Sequence, residues 1–299
     1  MSIDNVKNEI VKAPLFRRIG VAITDIFFLF FLFLIFNTYI LSPIVVATTS
    51  YTQITEEYKK VILDSNLYIL DDGSYLEIID TYDEEKQNEI DFYNYVDSKI
   101  IKFYEKYNNE NINISLYNKA KAATSLFNED YSIKNDAPLK ELKTFFEKEY
   151  NEALKLFNNY DDNYMDLART ITIYSIAIMI GALTLSTLIL YLIIPLFMKN
   201  GETLGKKLFS IGLASAKDGF KVKRSQIIIR FLVFLLIELL LSIFTLGIPL
   251  IVSFSMLVFN KNGYALHDYL AATICIDKKN TIIYKDFNEF INHERITLK

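Results

Sequence analysis

Three apolar stretches dominate the chain, and each is long enough to cross a bilayer, which takes about 20 predominantly apolar residues. The first covers 19–41, with unbroken apolar side chains from Ile26 to Phe36. The second, 170–198, carries no charged residue. The third, 227–259, would be roughly 50 Å long as one helix at 1.5 Å per residue, more than a single untilted crossing needs. Its middle reads Thr245-Leu-Gly-Ile-Pro249, where glycine and proline turn or break a helix. Two readings follow: a hairpin of helices near 226–244 and 247–260, or one kinked helix. The expected class is an all-α membrane protein with about four transmembrane helices, or three if 227–259 is one kinked helix, plus a mostly helical extracytoplasmic domain. The first stretch reads as a retained helix, because its apolar run is too long for a cleaved signal peptide.

Between the first two stretches the periodicity changes. Leu142, Phe145, Phe146, Tyr150, Ala153, Leu154 and Phe157 recur at three and four, the spacing of an amphipathic helix. This helix is expected to run on through Asp166 into the second membrane helix. A matching extension is expected over 54–69 and another helix over 84–107, with a loop from Asn108 to Asn113. The Asp-Gly at 72–73, flanked by alternating apolar positions, predicts a β-hairpin.

Charge sets the expected orientation. Residues 50–167 hold 13 lysines and 25 acidic residues, a net −12, whereas 199–224 hold seven basic and two acidic residues. Lys7, Lys12, Arg17 and Arg18 precede the first helix beside only Asp4 and Glu9. Basic flanks face the cytoplasm, so both termini are expected there, and Lys261, Lys278, Lys279 and Lys285 with them. The expected divisions are 1–48, the N-terminus and first helix; 49–167, the acidic insert outside; 168–277, the remaining helices with a basic loop at 199–226; and a tail at 278–299. The expected setting is a bacterial cell membrane. A single cysteine and two histidines leave no basis for a disulfide or a zinc centre, and no cofactor, nucleic-acid partner or enzymatic residue set is expected.

Ionisable groups inside apolar helices are the candidate functional residues, since a central aspartate costs about 2.5–3.5 kcal/mol to insert. Asp25 lies seven residues after Arg18, which at 3.6 residues per turn leaves them only about 20° apart on one face. Two turns also separate them by roughly 10 Å, so direct contact is not required. Arg17 points elsewhere and is read as snorkelling to headgroups. Arg230 is positioned to pair with Asp25, and Glu238 is expected deeper. Gly201, Thr203, Gly205 and Lys206 read as a turn, a helix cap and a basic helix start at the membrane interface. His267 reads as a hydrogen-bonded interfacial residue.

These residues resemble motifs of the RDD family, bacterial membrane proteins named for an arginine and two aspartates. Arg18-Ile-Gly-Val-Ala-Ile-Thr-Asp25, the run from Gly201 through Lys206 to Leu213, Arg230, and Gly263-Tyr-Ala-Leu-His-Asp-Tyr-Leu-Ala-Ala-Thr273 occur in the family's order. The resemblance makes Asp268 the second aspartate, free to fold back toward Arg18 or Arg230. It covers 14–48 and 170–277, and the insert departs from it. It implies transport, with sodium/proton antiport associated with some members. The expected function is therefore ion-coupled transport using intramembrane carboxylates, with the bilayer, sodium or a proton, and a second copy or membrane partner protein as partners. The alternative is a membrane-anchored scaffold whose insert contacts a partner protein or wall component.

Overall fold

The computed structural model describes residues 10–82, 88–108, 111–260 and 263–297. Lys7, Asp4, Glu9 and Lys261, and the ends of the expected 84–107 helix and 108–113 loop at 84–87 and 109–110, lie outside the described residues. The chain divides into two compact units, one formed by Met1–Ile44 with Ala177–Lys299 and the other by Val45–Ile176.

The first unit is built on apolar helices. Helix α1 spans Leu15–Thr48, α6 spans Asp162–Phe197 and α8 spans Arg224–Phe244; all three have the length and composition to cross a membrane. Phe16, Phe27, Phe30 and Phe31 of α1 stay exposed, as lipid-facing residues do, while α8 is the most enclosed of the three at 39% buried. The break at 245–247 resolves the third stretch into two helices. Leu246 and Gly247 take positive φ angles of 51° and 85°, and Pro249 sits in the first turn of α9, Ile248–Phe259. That placement suits proline, because the first turn needs no N–H from it. Helix α9 packs back on α8. Its 12 residues span only about 18 Å.

Two strands lie among these helices. Strand β3, Ile211–Ser215, pairs antiparallel with β4, Thr273–Asp277, in the register Ile211↔Asp277 to Ser215↔Thr273. Every residue of both strands is buried, and Lys12 bridges Ile276 on the other side. This small sheet gathers the chain leading into α1, the chain after α6 and the segment around the short helix α10, Leu266–Leu270. A short helix α7, Leu204–Leu208, packs on α1. Near the C-terminus, helix α11, Phe287–Thr297, buries Phe290 against Tyr284.

The second unit has an aromatic core. Helices α2 (Tyr51–Asp64), α3 (Glu89–Lys106), α4 (Ile114–Ala122) and α5 (Leu139–Tyr160) enclose Phe103, Tyr104, Tyr117, Phe146, Tyr150 and Phe157. Asn88 and Asn113 cap α3 and α4 through their side-chain oxygens, and the second of these helices had no counterpart in the expected pattern. The hairpin pairs β1, Tyr68–Asp71, with β2, Ser74–Glu77; Asp72 and Gly73 supply the two positive φ angles of its turn, 44° and 80°. The Tyr150 hydroxyl donates to Leu67 O and accepts from Ile78 N, tying both ends of the hairpin to α5. Helix α5 does not continue into α6. Asp161 leaves the helical conformation, and its carboxylate accepts the Tyr164 N–H as a new N-terminal cap.

Candidate functional site

Asp268 is the centre of the charge cluster. Helix α10 places its buried carboxylate (1% exposed) between two arginines from distant parts of the chain. Arg230 bonds Oδ1 and also reaches Thr273 Oγ1 at 3.0 Å. Arg18 reaches Oδ2 at 3.3 Å and donates to Gly263 O as well. The Thr273 hydroxyl donates to the same carboxylate at 3.1 Å. Burial alone would raise the Asp268 pKa, but the cationic neighbours, led by Arg230, hold it well below the usual carboxylate range. A carboxylate so surrounded stays ionised through mild acid. Gly263 is needed beside it, because a Cβ there would lie 2.5 Å from Arg18 Nη1.

Asp25 is not paired with Arg230 or Arg18. Its carboxylate, 3% exposed, accepts the Thr203 hydroxyl at 2.5 Å on Oδ2 and the Gly205 N–H at 2.8 Å on Oδ1. Thr203 also caps α7 by accepting the Lys206 N–H at 3.3 Å. Gly205 permits this approach, since an added Cβ would lie 2.7 Å from Asp25 Oδ1 and 2.8 Å from Val21 O. The expected pairing of Arg230 with Asp25 is therefore replaced by two separate sets. Asp268 takes the arginines because the β3–β4 pairing and α10 carry it to them, while Asp25, partway along α1, meets the turn before α7.

The residues of the expected interface motif face inward. Gly201, Thr203, Gly205 and Lys206 are buried, because the Asp25 contacts draw α7 onto α1. Only Lys207 and Leu208 of that helix are exposed. Lys206 is 5% exposed, and burial, reinforced by the Arg230 charge, lowers its pKa from the ordinary lysine value. Arg17 does not snorkel. It makes a bidentate pair with Asp277 at 2.9 and 2.7 Å and reaches Phe209 O at 3.2 Å. A carboxylate 260 residues further on was not readable from the flanking sequence.

Glu238 lies within a stretch of α8, Val233–Leu240, wound with i→i+5 hydrogen bonds. Each such turn takes up an extra residue, which turns residue 238 back toward the face of Arg230. Glu238 is 2% exposed. One oxygen, Oε1, receives both the backbone N–H of His267 and its ring Nδ1, each at 2.9 Å. With Glu238 ionised, Nδ1 carries the proton and donates. On the far side of the ring, Nε2 lies 3.9 Å from Asp268 Oδ2. His267 thus stands between two carboxylates, a position its neighbours in sequence did not reveal.

These groups line one cavity of about 340 Å³ within the first unit, inside the usual range of roughly 300–1,000 Å³ for small-ligand sites. Arg18, Asp25, Lys206, Arg230, Glu238 and Asp268 all border it, as do His267 and Cys275. Among the described residues, no group of three or more His, Cys, Asp or Glu is arranged to hold a metal ion.

Residues 155–272 match the RDD family. The stretch holds the Gly201–Lys206 motif, Arg230, Glu238 and Asp268, whereas Arg18 and Asp25 lie before it. No curated protein and no solved structure matches the chain. The family match and the three long apolar helices make this a membrane protein.

Proposed function

With 155–272 taken as RDD-family sequence, we propose that the protein carries out ion-coupled transport across a bacterial cell membrane, with Glu238 and His267 as the proton- or cation-exchanging pair. The observation that carries this reading is the state of Glu238. It is buried in an apolar helix and borders the cavity, yet among the described residues its second oxygen has no hydrogen-bond partner, both His267 bonds falling on Oε1. Intramembrane carboxylates with bonding capacity to spare are the usual stations of ion and proton paths. His267, bridging toward Asp268, supplies the next station. Asp25 has both oxygens engaged and acts as a latch between α1 and α7.

In this reading both termini are cytoplasmic and the acidic 49–167 insert is outside, following the basic flanks. A second copy of the chain or a membrane partner protein completes the pathway around so few helices. The test is proton flux in proteoliposomes under an imposed sodium or proton gradient, read with a trapped pH-sensitive dye. Wild-type protein couples the two, and Glu238→Gln loses at least about tenfold of the rate. Coupled flux unchanged in Glu238→Gln, or absent from the wild type, overturns the reading.

A scaffold role is favoured by one observation: Val45–Ile176 is a compact unit with its own aromatic core and an acidic surface. Deleting 50–167 separates the two. A transporter keeps its flux, and an anchored adaptor loses its cellular phenotype while showing no flux at all.

A further inference from the structure

The membrane unit's cavity has a second group with unused bonding capacity, and it is a cation. Arg18 and Arg230 are both committed to Asp268, and Asp25 is committed to Thr203 and Gly205. Lys206 borders the same cavity at 5% exposure. Among the described residues, its ammonium makes no hydrogen bond or ion pair; only its backbone N–H is bonded. An ammonium on a residue only 5% exposed, without a hydrogen-bonding partner, is costly; Arg230 adds repulsion, which Cys275, Asp25 and Asp268 offset only in part. A mobile anion would relieve both.

Beyond the charged groups and His267, most of the wall is apolar. Val21 and Leu29 from α1, Phe231 and Phe234 from α8, and Leu250 and Phe254 from α9 line it. Such a site, an apolar slot with one cation that no carboxylate is bonded to, suits a ligand that is itself apolar with one charged end. One ammonium balances one negative charge, and a volume of about 340 Å³ holds one short hydrocarbon chain rather than a two-chain lipid. The carboxylates that act on Lys206 are Asp25 and Asp268, both of which already hold hydrogen bonds on each oxygen; Glu238 is not among them.

We propose that this cavity binds an amphiphilic monocarboxylate, with its carboxylate on Lys206 and its hydrocarbon chain along the α1, α8 and α9 side chains. The proposal uses the cavity of the transport reading but rests on equilibrium binding, so it stands or falls whether or not ion-coupled flux is found.

The experiment is equilibrium binding of radiolabelled decanoate and of decanol to the full-length protein in phosphatidylcholine nanodiscs, with empty nanodiscs subtracted. Wild-type protein binds decanoate saturably at one site, and at least about tenfold more tightly than decanol, the value of one charge-assisted contact of about 1.4 kcal/mol. Lys206→Met loses that tenfold preference and keeps its decanol binding, which also shows that the variant is folded. Lys206→Arg retains decanoate. Should Lys206→Met lose decanol as well, the wild-type preference for decanoate decides alone. Equal binding of decanoate to wild type and a folded Lys206→Met, a wild-type preference for decanol, or displacement of decanoate only by phosphatidylglycerol would each overturn the proposal.

Discussion

Lys121 in the unit of Val45–Ile176 and Lys206 in the membrane unit are almost equally inaccessible, at 1% and 5%, yet their surroundings are opposite. Lys121 is enclosed by partners. Asp97 holds it through both oxygens at 2.6 and 2.8 Å, Tyr131 O accepts at 3.3 Å, and its ammonium lies over the rings of Tyr117 and Phe127 at 4.9 and 5.2 Å. The Tyr117 hydroxyl donates to the same Asp97 at 2.7 Å. Among the described residues the Lys206 ammonium makes no hydrogen bond or ion pair, and it borders a cavity instead. A buried charge that the fold satisfies completely is part of the fold. One that the fold leaves unsatisfied beside an open space is positioned for something outside the chain. Breaking each lysine's environment in turn tests whether that distinction holds.

The largest effect is expected in the satisfied pair. Asp97→Ala strands the Lys121 ammonium in an aromatic core, and removing one partner of a buried pair costs about 3–5 kcal/mol. Denaturant unfolding of the solubilised protein, followed by limited proteolysis within 45–176, measures it. The double variant Asp97→Leu/Lys121→Met is expected to recover most of the loss, because well-packed apolar replacements for a buried pair are often neutral or better. A single-variant cost below about 1 kcal/mol, the range of exposed pairs, would make Lys121 no more structural than a surface lysine.

The latch that sets Lys206 in place comes next. Gly205→Ala would push a Cβ into Asp25 Oδ1 and the Val21 carbonyl at 2.7 and 2.8 Å; overpacking of this kind costs about 1–3 kcal/mol. The neighbouring atoms are backbone and a doubly bonded carboxylate, neither of which yields easily. Thermal unfolding of the detergent-solubilised variant reads the loss. Thr203→Val keeps the volume but removes the hydroxyl from both Asp25 and the α7 cap, at about 1–2 kcal/mol. Since Asp25 keeps the Gly205 N–H in that variant, its loss should be the smaller of the two.

Much of this was readable before any coordinates. The apolar runs marked the membrane helices, the Thr245–Pro249 break marked the end of α8, and periods of three and four marked α5. The common face of Arg18 and Asp25 was also legible, though not what each would bond. Those partners are set by β3 and β4, whose strands are separated by 57 intervening residues (216–272) and read locally as short apolar runs of no definite kind. Lys206 was misplaced for a related reason. In a helix of five residues no periodicity distinguishes Lys206 from Lys207, and only the contact of Gly205 with Asp25 decides which lysine faces inward. On a regular helix Glu238 and Arg230, eight residues apart, lie about 80° from each other, and the i→i+5 winding of Val233–Leu240 that changes this has no sequence signature in a uniform run of apolar residues.

The smallest effect on stability is expected at Lys206 itself, and its sign separates the two lysines. If the ammonium contributed to the fold as Lys121 does, Lys206→Met would destabilise the protein. Because it lacks a partner, the substitution is expected to be neutral, or stabilising by up to about 2 kcal/mol. The pH dependence provides an independent check. Burial and then Arg230 lower the folded-state pKa of Lys206 below its unfolded value, with Cys275, Asp25 and Asp268 opposing. Between the two values the unfolded chain binds more protons, so this residue's contribution makes stability rise with pH, reaching its full value above the unfolded lysine pKa of about 10.4. The difference in unfolding free energy between wild type and Lys206→Met, measured in a Cys275→Ser background, should therefore move in favour of the wild type as the alkaline range is entered. A difference that stays flat, or moves the other way, would mean that Lys206 is as well satisfied as Lys121, and it would then be no free cation for an anion to find.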